Sequence, residues 1–285
     1  MPPKEQAAYE QFLKRVEREI MSHRIIHENA YTGWFQNTDL SPEEVRHFTV
    51  QFSVFSNLFI VAQLKKTLNA HSLEEMRTSK EILLSELGVI FNRRTQESAE
   101  SLQKRKKEAE LEGDPELVNT EGTIDGGLFR FRAAHFEWLL QFAKPLGLSF
   151  SELGKHQHGT ASTLHFTDGL ERIYGHADFS IGAGASYAIE NWAAAGFWKQ
   201  LIQGLKRFKE KHVSTLHLGF WTWHDKVEDQ HAAHTQNELR EIFFYNNFDE
   251  DKFIAAGKEM LDCCAVFWDG LNKNRLFKKD LDREN

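Results

Sequence analysis

The chain has 285 residues, of which 41% are hydrophobic and 12% aromatic, so it is long enough to bury a full core. Its formal net charge of −7 gives no support for a nucleic-acid partner. The first residues lack the apolar core of a signal peptide, and no stretch reaches the roughly 20 apolar residues that span a bilayer. We therefore expect a cytoplasmic protein with no membrane partner. The two cysteines, Cys263 and Cys264, are adjacent, which predicts core packing in a reducing compartment.

The first third of the chain predicts helices. Apolar residues spaced by four predict an amphipathic helix over 4–23, and an aromatic, irregular segment follows at 27–37. Ser41 with Pro42 and Glu44 is typical of a helix N-terminus and predicts a buried, Phe-rich helix over 42–69. The next helix, over 72–91, has these residues facing inward: Met76, Ile82, Leu83, Leu87 and Ile90.

A charged insertion at 93–127 interrupts this pattern. Its charged run and its glycines predict a partly helical, solvated excursion that ends in a loop. Short helical pieces and loops are expected over 150–180. Longer helices are expected over four ranges: 128–145, 181–208, 215–245 and 248–274. No strand series or repeat is apparent, so about seven helices predict an all-α fold, with 1–285 forming a single bundle.

The strongest chemical signal is the spacing of His224, Glu228 and His231. At about 100° per residue on a helix, these side chains point the same way over about two turns. One carboxylate between two imidazoles is a ligand set for non-haem iron or manganese. Chance predicts about 0.1 such matches in this composition. The alternative is a solvated polar helix face, but the preceding Phe220-Trp221-Thr222-Trp223 favours a buried one. His234 is either a surface residue or a spare ligand.

A metal pair needs further ligands from other helices. Glu190 lies among small and aromatic residues, where a carboxylate is costly to bury unless it is paired or bound to a cation. Glu86 interrupts an apolar run, and Glu81 is its competitor. His135 lies on an apolar helix, where it is either a hydrogen-bonded core residue or a ligand.

These segments together resemble the haem-oxygenase-like diiron oxidases. That superfamily shares its helical bundle with haem oxygenase and the thiaminase/TenA proteins but binds two irons in place of haem. The similar segments start at Asp39 and include Glu86-Leu87-Gly88, Ala134-His135-Phe136, Tyr187-Ala188-Ile189-Glu190 and the motif at 224–231. This sequence differs from the family's usual pattern in two features. Glu228 stands where the family commonly has Asp, and the insertion separates Glu86, the first Glu, from His135, the first His.

The resemblance implies a site with two Fe(II) ions, or a Mn/Fe pair, and O₂ as co-substrate. It assigns Glu86, His135 and His231 to one iron, Glu190 and His224 to the other, and Glu228 to a bridge. It implies oxidation of a small amino-acid-like or carboxylic substrate by N-oxygenation, C–C cleavage or decarboxylation. An external electron donor and a homodimer are compatible with it. We expect an aromatic lining that excludes water, formed by Trp192, Phe197, Phe220, Trp221 and Trp223.

Two other functions stay open at this point. One is a metal-independent enzyme with the same bundle, similar to the TenA or pyrroloquinoline-quinone synthase proteins. The other is a non-catalytic helical interaction protein whose His-rich face is solvated. Iron content separates both from the diiron oxidase.

Overall fold

The computed structural model describes residues 3–92, 120–124, 127–131 and 134–283. Within these ranges, the side chains of residues 3, 85, 90–92, 120–131, 227–234, 237–238 and 276–283 lie outside the description. The described helices α1 to α11 are, in order, Pro3–Val16, Arg24–His27, Ala30–Asn37, Pro42–Leu68, Leu73–Glu86, His135–Ala143, Ala161–Gly169, Phe179–Ala193, Phe197–Lys211, Gly219–Ile242 and Glu250–Arg283. Strands β1 to β3 are Val89–Asn92, Thr120–Ile124 and Gly127–Phe131.

Helix α4 begins where the sequence predicts and is a central element of the bundle. The Ser41 amide donates to Glu44 Oε2 at 2.8 Å, and the Glu44 amide donates to Ser41 Oγ at 3.3 Å. These reciprocal bonds satisfy amides that the first helical turn leaves unpaired. Val45, Phe48 and Phe52 are fully buried on its inner face. The all-α fold class is confirmed.

Helix α4 also contradicts one expectation from the sequence. By length and composition it is long and apolar enough to cross a membrane, although no such segment was expected. Its inner face packs in the bundle, and 44% of its most apolar window is buried. Its outer face carries three exposed apolar residues, Val61, Leu64 and Leu68, so this helix is partly exposed, whereas the sequence predicts a buried one.

Helices α8 and α11 make the most extensive helix contact in the described bundle, and α8 carries Glu190. A Cβ atom built on Gly184 of α8 would lie 2.2 Å from the carbonyl oxygen of Phe253 on α11. A Cβ built on Gly257 would lie 3.2 Å from the carbonyl oxygen of Gly184. The two backbones therefore touch at glycine, which fixes the position of α8 in the core.

The sequence predicts one continuous helix over 181–208, and this prediction is wrong. This segment consists of α8 and α9, which are separated at residues 194–196. Gly196 adopts a φ of +98°, a backbone conformation that residues other than glycine rarely adopt. The turn that contains Gly196 separates α8 from α9. Similar differences occur elsewhere: α3 occupies the segment expected to be irregular, and α11 extends to Arg283. Met76 and Leu87, expected to face inward, are exposed.

The strands were not predicted. Helix α5 ends at Glu86 instead of continuing to 91, and the helix expected from 128 begins at His135, preceded by β3. β1 and β3 are antiparallel, with Val89 opposite Phe131, and β2 pairs on the other side of β3. Residues 120–124 of the insertion are therefore a strand, while the predicted helical part at 93–119 lies outside the described residues. β-branched and aromatic residues in β1 and β3 favour strand over helix.

Candidate metal centre

The β1–β3 ladder explains how residues far apart in sequence meet. Glu86 is the last residue of α5, three residues before Val89, where the pairing with Phe131 begins. His135 is the first residue of α6, soon after β3 ends. The chain thus enters the insertion through β1 and returns from it through β3, and these two strands are adjacent. As a result, Glu86 and His135 lie side by side, although many residues separate them in the chain.

Glu86 and His135 form a close, buried pair without a normal hydrogen bond. Nδ1 of His135 lies 2.9 Å from Oε2 of Glu86, and their side chains are 9% and 15% exposed, respectively. Nevertheless, Nδ1 of His135 has no hydrogen-bond partner with acceptable geometry. A buried polar nitrogen without a partner costs about 1–3 kcal/mol. A cation bound by both atoms would remove that cost, so this pair fits a metal ion.

His224 on α10 contributes the third ligand atom. Its Nδ1 lies 2.7 Å from the carbonyl oxygen of Phe220, which can only accept a hydrogen bond. Nδ1 therefore carries the proton, and Nε2 carries the lone pair suited to a metal. The His224 ring also stacks on Trp198, with centroids 4.9 Å apart and planes inclined by 20°. These contacts hold the imidazole in one orientation.

One ligand atom from each of Glu86, His135 and His224 lies within 4.8 Å of the other two. Ligands around one first-row metal ion lie about 3–4 Å apart at bond lengths of about 2.1 Å. The 4.8 Å separation of the ligand atoms is only slightly larger than this, so slight side-chain movement would bring all three atoms onto one ion. This grouping differs from the resemblance, which assigns His224 to the second iron. Carboxylate oxygen with imidazole nitrogen is also the chemistry that non-haem iron prefers.

Glu190 faces the same cavity as these three residues. The cavity has a volume of about 130 Å³, and Glu86, His135, Glu190 and His224 all line it. Glu190 is 8% exposed, as expected for an acid among the apolar residues of α8. Glu81, the competitor of Glu86, is exposed and does not line the cavity. The structure therefore brings together four of the six residues that the sequence selects.

The side chains of Glu228 and His231 lie outside the described residues. Both positions fall within α10, four and seven residues after His224. Their assignment as ligands stays a prediction, as does the suggestion for His234.

Aromatic rings form most of the remaining cavity wall. Trp192, Phe220 and Trp223 line it as expected, whereas Phe197 and Trp221 pack behind the lining against Trp192 and Trp198, respectively. Sequence reasoning missed several lining residues: Phe52, Phe55, Ser56, Phe59, Ile82, Ala193 and Trp198. The signal for those on α4 was present, because their three- and four-residue spacing places them on one helix face.

No protein-family model matches the chain, and no curated protein matches it. Several solved structures are similar in fold, including the following three. A TenA homologue from Pseudomonas syringae pv. tomato str. DC3000 is 12% identical with a TM-score of 0.58, over 92% of this chain and 93% of that one. A domain of unknown function with a heme oxygenase-like fold from Shewanella denitrificans OS217 is 14% identical with a TM-score of 0.54, over 93% and 94%.

The third structure is a CADD-like protein of unknown function from Nostoc punctiforme PCC 73102. It is 14% identical with a TM-score of 0.56, over 95% of this chain and 96% of that one. Identities this low establish the fold alone, yet the similarity covers nearly the full length of each chain. The chain therefore has the haem-oxygenase-like helical fold shared by the TenA and CADD-like proteins.

Proposed function

We propose that the chain is a non-haem diiron enzyme that uses O₂ to oxidise a small metabolite. The observation that carries this proposal is the buried Nδ1 of His135, which has no hydrogen-bond partner and lies 2.9 Å from a Glu86 carboxylate oxygen. His224 and Glu190 face the same cavity. Two carboxylates and two imidazoles that converge in an aromatic pocket favour a bound cation.

In this proposal, Glu86, His135, Glu190 and His224 hold the metal pair, with Glu228 and His231 completing the set. Bound iron would supply one-electron redox chemistry and coordination positions for O₂. The protein supplies orientation: the Phe220 carbonyl fixes the tautomer of His224, and Trp198 fixes its ring plane. The aromatic wall keeps bulk water away from the reacting groups.

The lining also bears on the substrate. Among the described lining residues, Ser56 and the indole N–H groups of the tryptophans are the only polar groups besides the four candidate ligands, and none is cationic. A substrate carboxylate therefore has its favourable position beside the metal ions, with the rest of the molecule against Phe and Trp rings. We propose a small carboxylic acid, including amino-acid-like ones. N-oxygenation, C–C cleavage and decarboxylation are the candidate reactions.

Metal content and O₂ reactivity test this function together. Protein loaded with Fe(II) under anaerobic conditions and mixed with O₂ in a stopped-flow instrument should show a transient visible absorption band. A panel of amino acids and fatty acids should include a compound that changes the decay of this band. The double variant Glu190→Ala/His224→Ala should bind less iron than wild type. Glu81→Ala, which removes an exposed acid from the same helix as Glu86, should not.

A metal-independent enzyme is the competing proposal, and the fold similarity to TenA homologues favours it. Wild-type protein that binds no iron would support this alternative. Equal iron binding by the wild type and the Glu190→Ala/His224→Ala variant would rule out the ligand assignment.

A further inference from the structure

A row of indole rings leads from the cavity toward the surface. Trp192 lines the cavity, and its ring centroid lies 6.2 Å from that of Trp268. Phe197 packs against both indoles, at 4.5 and 5.5 Å. Trp192 and Trp268 are 2% and 1% exposed, so neither ring is accessible to a large solute.

The row continues through Tyr31 to the edge of the bundle. The Tyr31 ring lies 5.9 Å from Trp268 and 5.3 Å from Trp34. Trp34 is half-buried, and the guanidinium carbon of Arg275 lies 4.4 Å from its ring centroid. The outer end of the row therefore combines a partly accessible indole with a positive charge.

Indoles are among the side chains that lose one electron most readily, and electron tunnelling weakens steeply with distance. Neighbouring rings of this row, with Tyr31 as the bridge between Trp268 and Trp34, have centroids no more than 6.2 Å apart. Burial raises the pKa of the Tyr31 phenol, which disfavours loss of its proton. Tyr31 is therefore suited to bridge two indoles without becoming a stable radical itself.

We propose that Trp192, Trp268 and Trp34, bridged by Tyr31, form an electron-transfer route between the cavity and an anionic one-electron donor at Trp34 and Arg275. This inference rests on the proposed function, because the oxidant is one formed from O₂ in the cavity. Trp192 gives one electron to that oxidant. Trp268 then reduces the oxidised Trp192, and Trp34 reduces the oxidised Trp268. A donor of the ascorbate class gives one electron to Trp34 and releases a proton to solvent. The indoles keep their N–H protons, and no protein bond is made or broken.

The test uses metal-free protein, so that it does not depend on iron. Tris(bipyridine)ruthenium(II) is photo-oxidised with pentaamminechlorocobalt(III) as electron acceptor, giving a surface oxidant too large to enter the core. Oxygenated tryptophans are then located by peptide mass spectrometry. In the wild type we expect oxidation at Trp34 and also at buried Trp192. Trp268→Phe should abolish the Trp192 product and preserve the Trp34 product.

Trp221→Phe is the matched control, because Trp221 is equally buried but is not part of this row. It should retain the Trp192 product. If Trp268→Phe does not fold, Trp34→Phe, at a less buried position, should also abolish oxidation of Trp192. Oxidation of Trp192 that persists in these variants, or that is absent from the wild type, would overturn the route. Failure to bind iron, with the oxidation pattern unchanged, would instead overturn the proposed function.

Discussion

Val89 pairs with Phe131 across the β1–β3 ladder, and this pairing places the end of α5 beside the start of α6. Glu86 and His135 meet because the chain leaves and returns through these two strands. The small sheet is therefore a structural element of the candidate site, although none of its residues lines the cavity among those described.

Breaking the ladder next to the site should weaken metal binding. Proline at position 89 removes an amide donor and restricts φ, so Val89→Pro should loosen the approach of Glu86 to His135. We expect metal affinity to fall by about 10- to 100-fold, the range seen when a group that orients a ligand is lost. Isothermal titration calorimetry with Mn(II), together with circular dichroism for helix content, measures this effect.

The control for that variant is Asn92→Pro, at the far end of the same strand, opposite Leu128. It should change metal affinity less than Val89→Pro does. Equal losses in the two variants would show that the pairing near Glu86 has no special role.

Metal binding should stabilise the fold through His224. A ligand that binds only the folded state at 100 times its Kd adds about 2.7 kcal/mol to the unfolding free energy. We expect Mn(II) or anaerobic Fe(II) to raise the Tm of the wild type and to leave the Tm of the His224→Ala variant unchanged. His217→Ala, which removes an exposed histidine near the start of α10, should respond like the wild type. A rise in Tm for His224→Ala equal to that of the wild type would exclude this histidine as a ligand.

The crossing of α8 and α11 should tolerate no added side chain. Gly184→Ala would place a methyl group 2.2 Å from the Phe253 carbonyl oxygen, so the helices must separate. Overpacking of this kind costs about 1–3 kcal/mol, measurable by urea denaturation. Gly33→Ala is the matched control, because nothing lies within 4 Å of a Cβ there, and alanine should stabilise α3 by about 0.5–1 kcal/mol. Similar stability of the two variants would contradict the close crossing.

Acid should weaken the start of α8 through Asp178. Its Oδ1 accepts a hydrogen bond from the Ser180 amide at 3.1 Å, and Lys252 donates to its Oδ2 at 2.6 Å. The hydrogen bond from Lys252 lowers the pKa of Asp178. A lowered pKa means that the stabilisation is complete above the ordinary carboxyl pKa of about 3.9 and is lost as the pH falls through the lowered value.

Asp178→Ala should therefore cost about 1 kcal/mol near neutral pH, with a smaller difference from the wild type in acid. Urea denaturation at several pH values gives both quantities. Asp178→Asn keeps an N-cap acceptor but not the charge, so it should lose the pH dependence and little of the stability. A difference between Asp178→Ala and wild type that grows on acidification would contradict this account.

Local patterns in the sequence identify the helices and several candidate ligands. The capping residues at Ser41 predict the start of α4, and the histidine spacing on α10 selects His224. Glu190 is found because an acid among apolar residues needs compensation. These inferences depend on residues within a few turns of one another, where helix geometry fixes the neighbours.

Local sequence patterns do not predict which distant segments of the chain come into contact. The sequence names Glu86 and His135 separately, but their proximity depends on strand pairing across the insertion. Asp125-Gly126, the dipeptide between β2 and β3 in the sequence, is typical of a two-residue hairpin turn. The aromatic lining from α4 has helical spacing, but only the packed fold selects which face of a mostly apolar helix borders the cavity.

Iron anomalous scattering from crystals soaked anaerobically in Fe(II) tests the central claim most directly. The account predicts anomalous peaks in the cavity, within coordination distance of Glu86, His135 and His224, with a second iron bound by Glu190. A fully soaked crystal without an anomalous peak in this cavity, or with iron bound only at surface residues, would contradict it.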